Sequence, residues 1–540
     1  MTRTESYAAG PETPVVRDIT IGAALAEAAA EVPDQPALTA GVADPAARRD
    51  WTYAELYADA QAVARALLAR FEPGERVAVW APNIPEWVLL EYGSGLAGVI
   101  LVTVNPAFQA EELAYVLKQS RSAGVFLLSE FRGNRMLNHL EAVRDQCSEL
   151  REVILFDDWD AFLTEGARSD RARSDRALPE VNAVDACMIQ YTSGTTGFPK
   201  GALLHHRGLV NNGAHVVGRA GLAPGGAHMG YMPLFHTAGC VLAVFGALAR
   251  RARLVLVEMF EPGLILELIE TYRARNMLGV PTMLIALMEH PDFSSRDLSS
   301  LEGLCSGGST VPASLVEKLE STLGAPFTIV FGQTECSPVA SMTRPDDTLD
   351  DKAHTLGPPM PHVEVKVVDP GTGNTVPVGE LGEYCTRGYH VMHGYFEMPE
   401  ATADTVDADG WLHTGDLCAM DERGYTRIEG RLKDMIIRGG ENIYPREIEE
   451  VLYKHPDVAE AAVVGVPSER MGEEVAAFLR PAPGAGIDRD ALFAYLREHL
   501  SPQKTPRYWY AVDAYPLTGS GKIQKFVLRK QWEEGAFSEL

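Results

Sequence analysis

The first third of the chain alternates between apolar segments of about five residues and helical patterns, and this alternation limits the fold more than any other feature. At Thr52-Tyr-Ala-Glu55 the Thr hydroxyl and the Glu carboxylate are spaced to satisfy free backbone N–H groups reciprocally, which marks a helix start. The helical pattern runs through Leu67 and Leu68 and stops before Gly74. Residues 76–80 then read as a strand, 85–92 as a helix, 99–104 as a buried strand, 111–119 as a helix and 124–128 as a strand. Short strands separated by helices predict an α/β protein whose parallel-rich sheets are covered by helices. From residue 363 the pattern shifts to short strands and Gly-rich turns, at 363–369 and 380–386, so a β-rich subdomain is expected there. The end of the chain reads as a small α+β domain: helix 445–453, strand 459–466, helix 489–500 and strand 509–512. A chain of 540 residues exceeds the ~250–300 at which single cores stop growing. The expected division is a domain of residues 1–432 and a second of 433–540.

Lys and Arg number 48 against 74 Asp and Glu, a formal charge of −26. Such a surface repels nucleic acid and anionic lipid, so neither is an expected partner, and an anionic ligand would need a local basic island. The seven cysteines are scattered and form no Cys-x-x-Cys pair, which argues against a disulfide framework or structural zinc and suits a reducing cytoplasm. The first residues lack the apolar core of a signal peptide. The best apolar runs, 95–104 and 239–249, are half the ~20 residues of a membrane-spanning helix, so no stable membrane insertion is expected. Residues 167–177 hold a tandem Arg/Ser/Asp repeat whose charges cancel, as on a solvated loop.

Six elements carry chemistry. The most informative is Tyr191-Thr-Ser-Gly-Thr-Thr-Gly-Phe-Pro-Lys200-Gly201, where glycines admit backbone N–H groups to a phosphate, hydroxyls add donors and Lys200 adds a point charge. It is not a Walker loop, since Gly-Lys-Ser/Thr is missing. The others are Met232-Pro-Leu-Phe-His236-Thr-Ala-Gly239, Phe331-Gly-Gln-Thr-Glu335, Gly410-Trp-Leu-His-Thr-Gly415-Asp416, the stretch Gly430–Pro445 with Arg431, Lys433 and Arg438, and Pro516-Leu-Thr-Gly-Ser-Gly-Lys522. Each alone has an ordinary reading: a packed His236, a solvated Glu335 or Lys522, a turn-capping Asp416. Arg431, Lys433, Arg438 and Arg446 crowd into sixteen positions and supply the expected basic island.

Together, in this order and spacing, the six elements resemble the adenylate-forming superfamily of acyl-CoA synthetases, adenylation domains and luciferases, over roughly residues 20–530. The stretches Val102-Thr-Val-Asn-Pro-Ala-Phe and Met435-Ile-Ile-Arg-Gly-Gly-Glu-Asn-Ile-Tyr-Pro-Arg look most like the medium-chain acyl-CoA synthetase branch. The resemblance implies a large N-terminal domain and a mobile C-terminal one that swings about a hinge at Lys433. It implies that Thr192, Ser193, Gly194, Thr195, Thr196, Gly197 and Lys200 cradle the ATP phosphates. Phe331 would stack on adenine, with Gly332, Gln333 and Thr334 completing that segment, and Glu335 with Thr195 would hold magnesium. Asp416 and Arg431 would hold the ribose, and Lys522 would be the adenylation lysine. Gly440 would line the coenzyme A tunnel, and His236, Gly307 and Gly308 would border the acyl pocket. The family often has Tyr where Phe331 stands; stacking survives the change.

The implied activity turns a carboxylic acid, ATP and coenzyme A into acyl-CoA, AMP and pyrophosphate. A carboxylic acid of pKa ~4–5 is already ionised at neutral pH, so the obstacle is bringing it to polyanionic ATP, which Lys200, Lys522 and magnesium would ease. The nearest alternative passes the activated acid to a carrier protein or an amine, or adenylates an unusual acid such as nitrite. A non-catalytic nucleotide-binding protein is disfavoured by Lys200, Glu335, Asp416, Arg431 and Lys522 standing together. The absence of a Gly-x-Ser-x-Gly elbow speaks against a serine hydrolase. A homodimer is compatible with everything above.

Overall fold

The helix that starts at the capping box runs Tyr53–Leu68, with both reciprocal hydrogen bonds formed between Thr52 and Glu55. The computed structural model of the chain describes residues 3–168, 177–192, 199–308, 311–517 and 523–540. The repeat at 167–177 therefore falls almost wholly outside the described residues. Among them, no helix is long and apolar enough to cross a membrane. The chain divides into two compact units, one of Ala8–Val365 with Thr386–Leu412, the other of the chain start to Tyr7, Lys366–Cys385 and His413–Leu540.

The first unit carries two sheets with the parallel-rich character expected. In one, Arg76–Trp80 lies between Ile100–Val104 and Gly124–Leu127, all parallel, and Ala186–Thr192 extends it in parallel beside Ile100–Val104. Lys200–His205 and Gly394–Tyr395 then continue it antiparallel to one edge. Ala78, Val102, Val125 and Ile189 from its strands are buried with Leu113, Val116 and Leu117 from the helix Ala110–Gln119. In the other sheet the parallel strands Ala227–Gly230, Arg253–Leu256, Ala274–Leu278, Gly303–Gly307 and Phe327–Gly332 end their C-termini on the same side. An antiparallel strand, Val339–Met342, flanks the last of them.

One helix differs from expectation. It runs Pro85–Ala97, past the 85–92 read from the sequence, through Gly93 and Gly95. These glycines permit close packing rather than stopping the helix. A Cβ on Gly93 would fall 2.4 Å from Val63 Cγ1, and one on Gly95 would fall 3.0 Å from Ile21 Cβ. The apolar run near 239–249 forms a buried π-helical stretch, Ala238–Phe245, continued by the short helix Gly246–Ala249.

The strands Leu381–Gly388, Leu412–Met420 and Thr426–Arg431, most of whose residues fall in the second unit, lie side by side. Further along, Val458–Ser468 pairs antiparallel with Gly472–Pro481, which also pairs parallel with Tyr508–Ala511. This sheet is buried on both faces: Ala461 and Val463 pack with Ile448 and Leu492 on one side, Ala462 and Val464 with Leu528 on the other. Covering both faces explains why Ala461-Ala-Val-Val464 is continuously apolar.

Candidate active site

Thr192 and Lys200 are opposite residues of one antiparallel pair, so the loop between them begins and ends on the same rung of the sheet. Both flanks are pinned. The Tyr191 phenol donates to Gln119 Oε1 at 2.5 Å, with the Val116 carbonyl a second acceptor within reach at 3.2 Å. Tyr115 donates to the Pro199 carbonyl at 2.7 Å. Burial pushes the Tyr191 hydroxyl pKa up, which keeps it a donor. Ser193, Gly194, Thr195, Thr196 and Gly197 lie outside the described residues, as does Lys522.

Lys200 and Glu335 both contact one side chain that the sequence reading missed, that of Tyr395. The Lys200 ammonium lies 4.7 Å from the Tyr395 ring centroid, a cation–π distance. The Tyr395 phenol donates to Glu335 Oε1 at 2.7 Å. Burial first, and the Glu335 carboxylate second, raise the phenol pKa, so Tyr395 stays protonated and donating. Its backbone is fixed by pairing with Ala202 and by an N–H bond to Thr402 Oγ1 at 2.9 Å. Glu335 itself is buried in the short turn Thr334–Cys336, and its carbonyl accepts from the Met392 N–H at 2.9 Å. Only Gly394 hinted at Tyr395: a Cβ there would sit 2.6 Å from Thr402 Cγ2, so the chain passes close.

Phe331 ends the strand Phe327–Gly332, and Phe331, Gly332, Gln333 and Thr334 are all half-buried. On the neighbouring parallel strand Gly307 stands opposite Val330, followed by Gly308 at φ +79°. Backbone approach demands glycine at both strand ends. A Cβ on Gly332 would fall 2.0 Å from the Pro338 carbonyl oxygen, and one on Gly307 would fall 2.4 Å from that of Val330. His236 follows Ala227–Gly230 of the same sheet; its Nδ1 accepts from the Ala238 N–H at 3.1 Å, at the mouth of the π-helical stretch. Phe331, Gly307, Gly308 and His236 thus all lie in the last residues of parallel strands or in the segments that follow them, on the side where open α/β sheets bind ligands.

In the second unit Asp416 and Arg431 are partners in register on adjacent strands. Arg431 Nε donates to Asp416 Oδ1 at 2.8 Å, and Asp416 is only 3% exposed. The basic island is largely neutralised: besides this pair, Arg438 lies 2.6 Å from Glu474 and Arg446 lies 2.8 Å from Glu450. An acidic chain supplies carboxylates locally, so three of the four basic residues of that island are ion-paired. Lys433 sits exposed in the turn Leu432–Asp434, and desolvation of its ammonium holds its pKa below the usual lysine range. Gly440 occupies a two-residue hairpin loop between Ile436–Arg438 and Glu441–Ile443. Gly439 and Gly440 have φ of +62° and +88°, the positive values a type I′ turn requires.

The chain belongs to the AMP-binding enzyme family. The model of that family matches residues 25–396, and that of the AMP-binding enzyme C-terminal domain matches residues 447–522. Among its relatives is the putative acyl-CoA synthetase YngI of Bacillus subtilis (strain 168), 39% identical over 95% of this chain and 97% of that one. The mitochondrial medium-chain acyl-CoA ligase ACSF2 of Rattus norvegicus is 38% identical over 89% of this chain and 83% of its own. The crystal structure of ATP-bound MatB from Rhodopseudomonas palustris superimposes with a TM-score of 0.86 at 30% identity, covering 96% of this chain and 99% of that one.

Proposed function

We propose that the protein is an AMP-forming acyl-CoA synthetase. It joins a carboxylic acid to ATP, releasing pyrophosphate, and passes the acyl group of the adenylate to coenzyme A, releasing AMP. The observation that carries this reading is likeness across nearly the whole chain to proteins named acyl-CoA synthetase and acyl-CoA ligase.

In the first step a carboxylate oxygen of the acid attacks the α-phosphorus of ATP and the bond to pyrophosphate breaks. Negative charge grows on the leaving group, and Lys200 and Lys522 offset it. The loop from Thr192 to Gly197 contributes backbone donors to the phosphates. Phe331 offers a face to adenine, flanked by Gly332, Gln333 and Thr334, while Asp416 with Arg431 takes the ribose. The carboxylate of Glu335 is a hard oxygen donor of the kind magnesium prefers, and Thr195 is its proposed companion. Bound there, magnesium would supply charge neutralisation on the phosphates.

In the second step the thiol sulfur of coenzyme A attacks the acyl carbon, AMP leaves and the thiol proton passes to solvent. Gly440 flanks the incoming pantetheine, and His236, Gly307 and Gly308 border the acyl group. Residues 433–540 turn about Lys433 between the steps, which keeps the division at 432/433 as part of this proposal. The cytoplasm, which keeps thiols reduced, suits a chain whose seven cysteines are all free.

The test is ATP–pyrophosphate exchange across fatty, aryl and alicyclic acids, repeated for AMP release with and without coenzyme A. Coenzyme A-dependent AMP release with one class of acid supports the reading. Exchange that coenzyme A never turns over would hand the second step to an amine or a carrier protein.

A further inference from the structure

The strand Leu381–Gly388 presents Glu383 and Cys385, two residues apart, to one side, and the neighbouring strand Leu412–Met420 brings His413 against them. His413 Nδ1 lies 2.7 Å from Glu383 Oε2 and 3.4 Å from Cys385 Sγ. The ligand atoms of all three fall within 4.8 Å of one another. Glu383 and Cys385 are buried, whereas the His413 side chain is 28% exposed, which leaves the group a face toward water. The proposed chemistry uses none of these side chains.

We propose that Glu383, Cys385 and His413 form a binding site for a borderline-soft divalent cation of the zinc class, separate from the magnesium assigned to Glu335. A thiolate, an imidazole and a carboxylate are the donors such ions select, and magnesium or calcium would not. With Zn–S of about 2.3 Å and Zn–N of about 2.0 Å, a tetrahedral ion holds S and N about 3.5 Å apart, and the pair here is at 3.4 Å. The carboxylate must retreat from its hydrogen-bonded 2.7 Å to a tetrahedral edge of roughly 3.3 Å. On binding, the Cys385 thiol proton goes to solvent, and His413 gives up the Nδ1 proton it donates to Glu383 and takes one from water on Nε2, so that the ring stays neutral with Nδ1 free to ligate. Two negative ligands then balance the 2+ ion, so the buried site ends neutral. Water completes the fourth position on the exposed side.

The site also touches the turn before Asp416. Glu383 Oε1 accepts from the Gly415 N–H at 2.9 Å, and Thr414 Oγ1 donates to the Tyr384 carbonyl at 2.7 Å. Resting on the ribose role proposed for Asp416, a carboxylate drawn to the ion loosens Gly415 and raises the KM for ATP.

Two measurements test this independently. The metal-free full chain is titrated with Zn2+ by equilibrium dialysis, and with Co2+ by absorbance, reading the thiolate-to-cobalt charge-transfer band. The expected result is one ion per chain and a band that Cys385→Ser abolishes while zinc affinity falls at least tenfold. Cys418→Ser, on the neighbouring strand, should keep both. No band in the unmodified protein, or a band that persists in Cys385→Ser, would overturn the site and leave a hydrogen-bonded cluster only. Glu383→Gln covers a misfolded Cys385→Ser: it should keep the band and lose zinc affinity, and unchanged affinity counts against the proposal. Zinc should raise the KM for ATP several-fold in the unmodified protein and not in Cys385→Ser. Binding without that rise would keep the site and sink only its link to Asp416.

Discussion

Tyr395 and Glu335, sixty residues apart in the chain, are joined by a hydrogen bond from the phenol to Oε1 at 2.7 Å. The ring that makes this bond also faces the Lys200 ammonium. One tyrosine therefore sets the distance between a proposed phosphate ligand and a proposed metal ligand.

Tyr395→Phe keeps the ring and removes the donor. Depriving a buried carboxylate of a partner costs about 1–3 kcal/mol, so denaturant melts should show a loss of that size. The magnesium requirement of pyrophosphate exchange should rise several-fold. Glu335→Gln should weaken both ATP use and metal dependence; an unaltered magnesium titration in that variant would take Glu335 out of the site.

Lys522→Ala should cost the adenylation step ~10²–10³ in rate, as removal of one charge-stabilising donor does. Thioester formation from a supplied acyl-adenylate has no pyrophosphate to stabilise and should stay nearly intact. Equal losses in both steps, measured on one preparation, would contradict the role.

At Gly440 the backbone sets the terms of the experiment. With φ of +88° and nothing within 4 Å of a Cβ, space is open but an L side chain is strained. Leu there confounds a blocked pantetheine path with a distorted turn. Asn tolerates the left-handed region and separates the two effects. Gly440→Asn should melt close to the unmodified protein, whereas Gly440→Leu should exchange pyrophosphate and release little acyl-CoA. Normal coenzyme A turnover in Gly440→Leu would remove Gly440 from the thiol path.

Lys433→Pro should slow one half-reaction far more than the other, because proline fixes φ at the proposed hinge. Proline also disfavours helical geometry at the residue before it, and Leu432 lies in the same turn. Melting curves must therefore accompany the kinetics. Equal loss in both steps from a stably folded variant would argue against a two-pose cycle.

Five buried histidines make stability pH-dependent. Desolvation lowers the pKa of His205, His206, His215 and His228 to about 4, and that of His390 to about 3. The unfolded value is ~6.5, so between these limits the unfolded chain binds more protons. Stability is whole above about pH 6.5 and drains away as pH falls toward the folded values. Denaturation midpoints should drop between pH 7.5 and 5.5. His228→Gln, at a ring with neither nitrogen hydrogen-bonded, should flatten that slope. A pH-independent midpoint would refute the account.

What could be read from the sequence follows from the range of the forces involved. Arg76–Trp80 and the start of Tyr53–Leu68 are local patterns, one of buried apolar residues and one of capping, and both were legible to the residue. The end of Pro85–Ala97 was not, because Gly93 and Gly95 serve packing against Val63 and Ile21, which sequence spacing does not display. The motif residues of the site were legible as types. Their partners were not: Glu335 finds Tyr395, and Arg438 finds Glu474, across distances in sequence that no periodic signal spans. Charge counting located the basic island at 431–446 but cannot register which carboxylates fold beside it.

The strand Gly394–Tyr395 is two residues long and is the outermost member of its seven-stranded sheet. An open strand edge invites another chain to pair with it, and a very short terminal strand is one way proteins blunt that hazard. Here the blunting strand contains the residue that holds Glu335. Replacing Gly394 or Tyr395 with residues that unseat the strand would lay bare the backbone of Lys200–His205. Such variants should self-associate, so one two-residue strand both shields a sheet edge and seats the Glu335 carboxylate.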